Sequence, residues 1–364
     1  MVKSYRPIVK LGEAEIRALE NAPKCVIDNI EPIIEITRGR KRSSSKIYDN
    51  EEVYPFNNRL DKIKHIFKGR NVSFDLTSDE TLTNNQILSL YNPNNGYSNW
   101  IEFLCDLKKE NIFNKITPCL IINGNDDHFA ENLESQAKSL LSYFGRFIYR
   151  NSLIDENCYE DLEILKDYIE HITYLIDCDY VIQAQRTNVI DKVCSRIENL
   201  SKMTNNKLNT FIVSATSFPK NISEIGDDVT DNFRLCEVDI YDNISRKYKN
   251  IHIEYSDYAS INPIRNDTII MARGWIPRID VPLQDCIYYI RQRRPKGISS
   301  YASTYCDVAR QIVNTPRFPN LKNWGIAQII NCSQGATPSS SPSFWISVRM
   351  CIHLEQQINR IYST

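Results

Sequence analysis

The sequence is poor in the signals of familiar metal and redox chemistry. Its five histidines, His65, His128, His171, His252 and His353, never stand at zinc-ligand spacing from a cysteine, and no CxxC pair occurs. The 11 cysteines are an odd number spread without framework spacing. Most of them (Cys105, Cys119, Cys178, Cys236, Cys351) fall inside apolar runs and read as small buried hydrophobes in a reducing compartment. No apolar run reaches the roughly 18 residues that a membrane span needs. The N-terminal MVKSYRPIVKLGEAE meets charge too early for a signal-peptide core. Charge of either sign is not in excess: 44 Lys and Arg face 45 Asp and Glu, a net of -1. That excludes a global pull toward nucleic acid or an anionic membrane, though not a local basic patch. The expectation is a cytoplasmic protein with no membrane partner.

What the chain does contain is a rhythm. Short apolar runs that close on a polar residue alternate with amphipathic helical patterns. The runs are YRPIVK (5–10), IEPIIEIT (30–37), NVSFDLT (71–77), TPCLIING (117–124), RFIYR (146–150), ITYLIDCDY (172–180), NTFIVSATSFP (209–219) and IHIEY (251–255). Each reads as a strand buried on both faces, and EAEIRALENA, FAENLESQAKSLLSYF and NVIDKVCSRIENLSKM read as helices between them. Eight such units predict an α/β fold of the (β/α)8 TIM-like barrel type over residues 1–263. The alternative is a doubly wound open sheet, whose Gly-rich turn after the first strand has no counterpart here. After Pro263 the rhythm breaks. Two strands (DTIIMARGW, DCIYYIR) and three helices predict an α-rich C-terminal extension, 264–364, packed on the barrel, with SQGATPSSSPS as an exposed turn segment.

In a barrel of this kind the chemistry sits at the C-terminal strand ends, and strand parity selects the candidates. Lys10 ends the first strand; Glu35 and Asp75 share the inward parity of the second and third. Asn123, Arg150 and Asp177 follow on the next three, then Ser217 and Asp257. The acids Glu35, Asp75, Asp177 and Asp257 form the candidate catalytic set, and clustered carboxylates would hold a divalent metal, Mg2+ or Mn2+, at Asp75 and Asp177. Lys10 and Arg150 suit a phosphate or carboxylate. The mixture fits metal-assisted phosphodiester cleavage; equally, acids and bases around the strand ends could pair and only seal the top. No histidine lies at a predicted strand end, which weighs against histidine acid–base chemistry. The basic run Arg38–Arg42 (RGRKR) after the second strand could meet nucleic-acid phosphates or be a solvated loop, and RQRRPK (291–296) poses the same choice.

Several stretches together resemble the Beta protein family of bacterial and phage genomes. YRPIVKLGEAEIRAL with IEPIIEI resembles its N-terminal signature, placing Lys10, Glu15 and Glu35 at matching positions. SATSFP (214–219), Arg234 and Glu237 in FRLCE, and SDYASINP (256–263) resemble its later blocks; WGIAQI, the Trp345 region and CIHLEQQI resemble its C-terminal part. The chain departs from that pattern where Cys351 and His353 stand in place of a histidine pair, and where SDY replaces GDY. The basic run adds Arg38, and the resembling blocks add Arg234, Glu237 and Tyr258, to Lys10, Asn123, Arg150 and Ser217 as ligand-binding candidates. It implies a role in phage–host conflict and supplies no reaction. Two readings follow: an antiviral protein that binds, and cleaves with a divalent metal, a phosphate-bearing ligand; and a silent recognition module that binds a phage or partner protein and controls a separately encoded effector.

Overall fold

Runs rich in β-branched and aromatic residues have the stiffness of strands, and each of the eight predicted runs overlaps one, TPCLIING only at Thr117 and Pro118. The computed structural model describes residues 4–41, 53–220, 229–264 and 275–362. Its strands, in chain order, are β1 (Ile8–Lys10), β2 (Ile33–Ile36), β3 (Asn71–Leu76), β4 (Lys115–Pro118), β5 (Phe147–Ser152), β6 (Ile172–Tyr180), β7 (Thr210–Thr216), β8 (Thr230–Arg234), β9 (His252–Asp257), β10 (Arg278–Pro282) and β11 (Cys286–Arg291). β1 to β4 form one parallel sheet in sequence order; β5, β6, β7 and β9 form a second. The outer edges of the two sheets touch. Cys119 bridges Ile148 and Tyr5 bridges Tyr255, both in parallel sense. The Leu120 amide donates to the Ile148 carbonyl at 2.8 Å, and the Arg6 amide to the Tyr255 carbonyl at 2.9 Å.

This is a mixed α/β fold with parallel sheets and many helices, and its burial is layered accordingly. A small cluster of Ile8, Ile33, Cys119, Ile148, Leu175, Ile212 and Tyr258 draws on both sheets. The opposite parity of the same strands (Val9, Ile34, Phe74, Tyr149, Ile176, Val213) packs into the main core with the helices. Fully burying one such side chain stabilises the fold by about 1.5–3 kcal/mol, so the alternation pins the register of every strand.

The sheet of the C-terminal segment departs from the expected plan in two of its strands, β8 and β10. Phe233 and Arg234 of FRLCE belong to β8, a strand outside the eight expected runs, and a helix follows at Cys236–Lys247. β8 lies on β11 in the antiparallel order β10-β11-β8, so the sheet of the extension takes a strand from within the first 263 residues. β10 was not legible as a strand, and DTIIMARGW falls, apart from Trp275, outside the described residues. The three expected helices are present as Ala302–Val313, Trp324–Ser333 and Pro342–Tyr362. The last crosses helix Glu13–Asn21 and β10. A Cβ on Gly325 would stand 2.7 Å from the Val348 carbonyl oxygen, so the two final helices approach as closely as they do because that residue is glycine. Arg349 ties the long helix down: it is 2% exposed, donates to Asp280 at 2.7 Å and lies 3.7 Å over the Phe218 ring.

Candidate functional site

Pairing of β1 to β3 in register sets Lys10, Glu35 and Asp75 side by side, and β5 and β6 bring Arg150 and Asp177 to the same end. Arg150 reaches across. Its Nη1 donates to Asp75 Oδ2 at 2.7 Å and to Glu35 Oε2 at 3.3 Å; its Nε and Nη2 donate to Asp177 Oδ2 at 3.0 and 2.7 Å; Nη2 also donates to the Tyr258 hydroxyl at 2.9 Å. Tyr258 in turn donates to Asp177 at 2.5 Å. Lys10 donates to the Pro263 carbonyl at 2.6 Å and lies 3.4 Å from Glu35. Glu35, Asp75 and Asp177 are all buried. Burial is the largest influence on Asp75 and raises its pKa above the usual carboxylate range, an effect the Arg150 charge only partly offsets. Burial likewise raises the Tyr258 phenol, with the Asp177 charge adding to it.

Backbone strain collects beside this cluster. Asp179 has φ 53° and Ala259 and Ser260 have φ 49° and 65°, left-handed values that are unfavourable for side chains with a Cβ. The Asp179 turn shifts the β6–β7 register, which runs Asp177 with Ser214 and then Tyr180 with Thr216. It leaves the Asp179 carboxyl exposed at the rim, where it accepts from Ser152 at 3.3 Å. Desolvation by its surroundings and the Asp177 charge push its pKa up to about 6. A small cleft beside Lys10 is lined by Glu15, Tyr258, Ile261, Asn262 and Met350 and has room for little more than a water.

Six of the twelve candidates are thus in one network: Lys10, Glu35, Asp75, Arg150, Asp177 and Tyr258. The parity assigned to the last two parallel strands requires correction. Ile212 and Tyr258 belong to the inner cluster while Val213 and Tyr255 belong to the main core. Ser217 and Asp257 therefore point the other way. The Ser217 hydroxyl donates to Glu237 at 2.5 Å and accepts from the Cys236 amide at 2.7 Å, holding the start of helix Cys236–Lys247. Burial pushes Glu237 up to about 8. Asp257 accepts from Tyr5 at 2.7 Å and from Tyr255 at 2.8 Å, and meets His353 Nε2 at 2.7 Å, all buried. Burial would raise the Asp257 pKa, but His353 and the hydrogen bonds hold it below the usual range. Asn123 shapes a turn by accepting from the Asn125 amide, and Arg234 pairs with Asp239. Arg38 donates to the Thr81 carbonyl and covers Tyr54 at 4.7 Å. Arg40 and Lys41 are exposed, and Arg42 lies outside the described residues.

Sequence reasoning left Asp179 out of the candidate set and missed the Tyr5–Asp257–His353 link; neither a left-handed turn nor a contact 96 residues apart leaves a local signal. Among the described residues no three His, Cys, Asp or Glu side chains are grouped to hold a metal ion. Asp75 and Asp177 meet through the Arg150 guanidinium, which stands between them. Among the same residues no helix is long and apolar enough to cross a membrane.

Fold and site define a mixed α/β protein whose parallel strands end in a buried, guanidinium-centred ion cluster. The model of the Beta protein family matches residues 5–359, and the chain belongs to that family. Protein beta of Enterobacteria phage P4 is 25% identical over 362 residues, covering 98% of this chain and 93% of that protein. A crystal structure of the spore coat polysaccharide biosynthesis protein SpsE from Bacillus subtilis is similar at a TM-score of 0.28 and 7% identity, over 94% of this chain and 72% of that one. That likeness is too slight to carry an activity or a fold across.

Proposed function

We propose that this protein is a partner-binding module on a closed (β/α)8 barrel, whose acidic rim receives a cationic side chain of a protein partner. The closed barrel is supported by the two parallel bridges between sheet edges and by the cluster to which both sheets contribute. The ligand class rests on one observation. A guanidinium has five N–H donors, and the five contacts of Arg150 to Glu35, Asp75, Asp177 and Tyr258 use them within the protein. What the site retains is acceptors, with Asp179 the exposed one. A phosphate-bearing ligand, and with it metal-assisted cleavage, would require Arg150 to abandon those contacts. In the recognition reading the partner is a phage protein or a separately encoded effector, in keeping with the phage relative.

Calorimetric titration of the full chain with a lysine-rich peptide, inorganic phosphate, Mg2+ and Mn2+ separates the readings. The peptide is expected to bind, about fivefold more weakly to Asp179→Asn, the scale of a partly exposed charge pair of about 1 kcal/mol. Its affinity should also fall as pH drops through about 6, where the Asp179 carboxyl takes up its proton. Phosphate binding that Arg150→Gln abolishes, with no response to the peptide, would replace this reading with the phosphate one.

A further inference from the structure

A second charged surface is built from residues other than those of the acidic rim and does not depend on the reading of it. β11 ends at Arg291, and the chain turns through RQRRPK before helix Ala302–Val313. Arg293 and Lys296 are exposed and have no ion-pair partner among the described residues, whereas Arg291 is buried. Arg294 is half-buried because it lies over the Tyr301 ring, its Cζ 4.3 Å from the centroid, and donates to the Ser299 carbonyl. The Trp275 ring stacks on Tyr301 as well, with centroids 4.1 Å apart and planes 14° apart. Two layers at such separations cannot occupy one face of a ring. Tyr301 is therefore held between them, in a ladder of guanidinium, phenol and indole.

We infer that this turn binds single-stranded nucleic acid, with backbone phosphates on Arg293 and Lys296 and a base stacked on the outer face of Arg294. Proteins that take single strands combine cations for the backbone with flat π surfaces, including guanidinium planes, for the bases. The turn supplies both within a few residues. An acidic peptide would use the charge and leave the ladder idle. A duplex hides its bases and is read by a helix or ribbon entering a groove, and this turn projects neither. With a net charge of -1 on the chain, the attraction is local to the patch.

The test is fluorescence anisotropy of a labelled 20-nucleotide oligothymidylate with the full-length protein, from 50 to 200 mM salt. The wild type should bind at 50 mM salt. The double variant Arg293→Gln/Lys296→Gln should lose about tenfold or more, and its slope of log affinity against log salt should flatten by about 1.4, roughly 0.7 per phosphate contact. Tyr301→Leu should weaken binding by about tenfold with the slope unchanged, because it removes a stacking layer and no charge. Should Tyr301→Leu unfold, the double variant, confined to exposed side chains, still decides. Absence of wild-type binding at 50 mM salt, equal binding by the double variant, equal binding of a duplex, or equally strong competition by polyglutamate would each overturn the proposal.

Discussion

Replacing Arg150 with methionine leaves Glu35, Asp75 and Asp177 buried around an apolar side chain. Each is less than a tenth exposed, and each has Arg150 within 3.3 Å. Removing one partner of a buried ion pair costs about 3–5 kcal/mol; Asp75 and Asp177 lose their Arg150 counter-charge, while Glu35 keeps Lys10 at 3.4 Å. A loss of about 3–5 kcal/mol at pH 7.5 is expected, a large share of the roughly 5–15 kcal/mol that holds a typical domain together. The dependence on pH gives the cause. Burial already raises the Asp75 pKa in the wild type, and losing the Arg150 charge that offsets it raises that pKa further in the folded variant. Groups raised in this way contribute stability that is fully present below the unfolded pKa and lost as pH rises through the folded one. The deficit relative to wild type should therefore shrink as pH falls from 7.5 toward about 4.5. Urea unfolding followed by tryptophan fluorescence at several pH values measures both quantities. A deficit under about 1 kcal/mol at pH 7.5, or one that does not change with pH, would refute the claim that Arg150 holds ionised acids together.

Two further substitutions probe the network behind the strands. Glu237, pushed up to about 8, makes the wild type lose stability as pH rises from its unfolded value through about 8; Glu237→Gln should flatten that decline in a series of melts, and an unchanged decline would mean Glu237 is not its source. His353→Leu should cost about 1.5–3 kcal/mol at neutral pH by leaving the buried Asp257 carboxyl without the His353 Nε2 partner 2.7 Å away. Because His353 holds the Asp257 pKa down, the contribution is present above the unfolded pKa and lost as pH falls through the folded one. The variant's deficit should therefore narrow only in acid, and a neutral-pH deficit below about 1 kcal/mol would contradict it.

How far the site was legible depended on whether a strand's alternation reached its end. In IIEI and NVSFDL the polar residues sit at one parity, and Glu35 and Asp75 were assigned to the inner face from that phase alone. β7 and β9 run into SATS and SDYAS, where polar residues occupy both parities and the hydrophobic phase disappears. There pairing decides: Ser214 aligns with Asp177, and Ala215 with Asp257. Asp257 is thereby turned outward, and Tyr258, one residue on, reaches Asp177. β8 was illegible for another reason, since its partner β11 lies more than 50 residues away and nothing local in TDNFR distinguishes a strand.

The misplacement of Asp257 joins the two halves of the molecule. One residue apart in SDY, Asp257 faces His353 on the last helix while Tyr258 faces Arg150 at the strand ends. The ion cluster and the C-terminal helix thus hold opposite sides of the same short stretch. Immediately after it, Ala259 and Ser260 adopt left-handed backbone. A displacement of helix Pro342–Tyr362 would pull on Asp257 and, through a single peptide, on the hydroxyl that bridges Arg150 and Asp177. The extension and the ion cluster are therefore joined through adjacent residues, and a shift of either is expected to move the other.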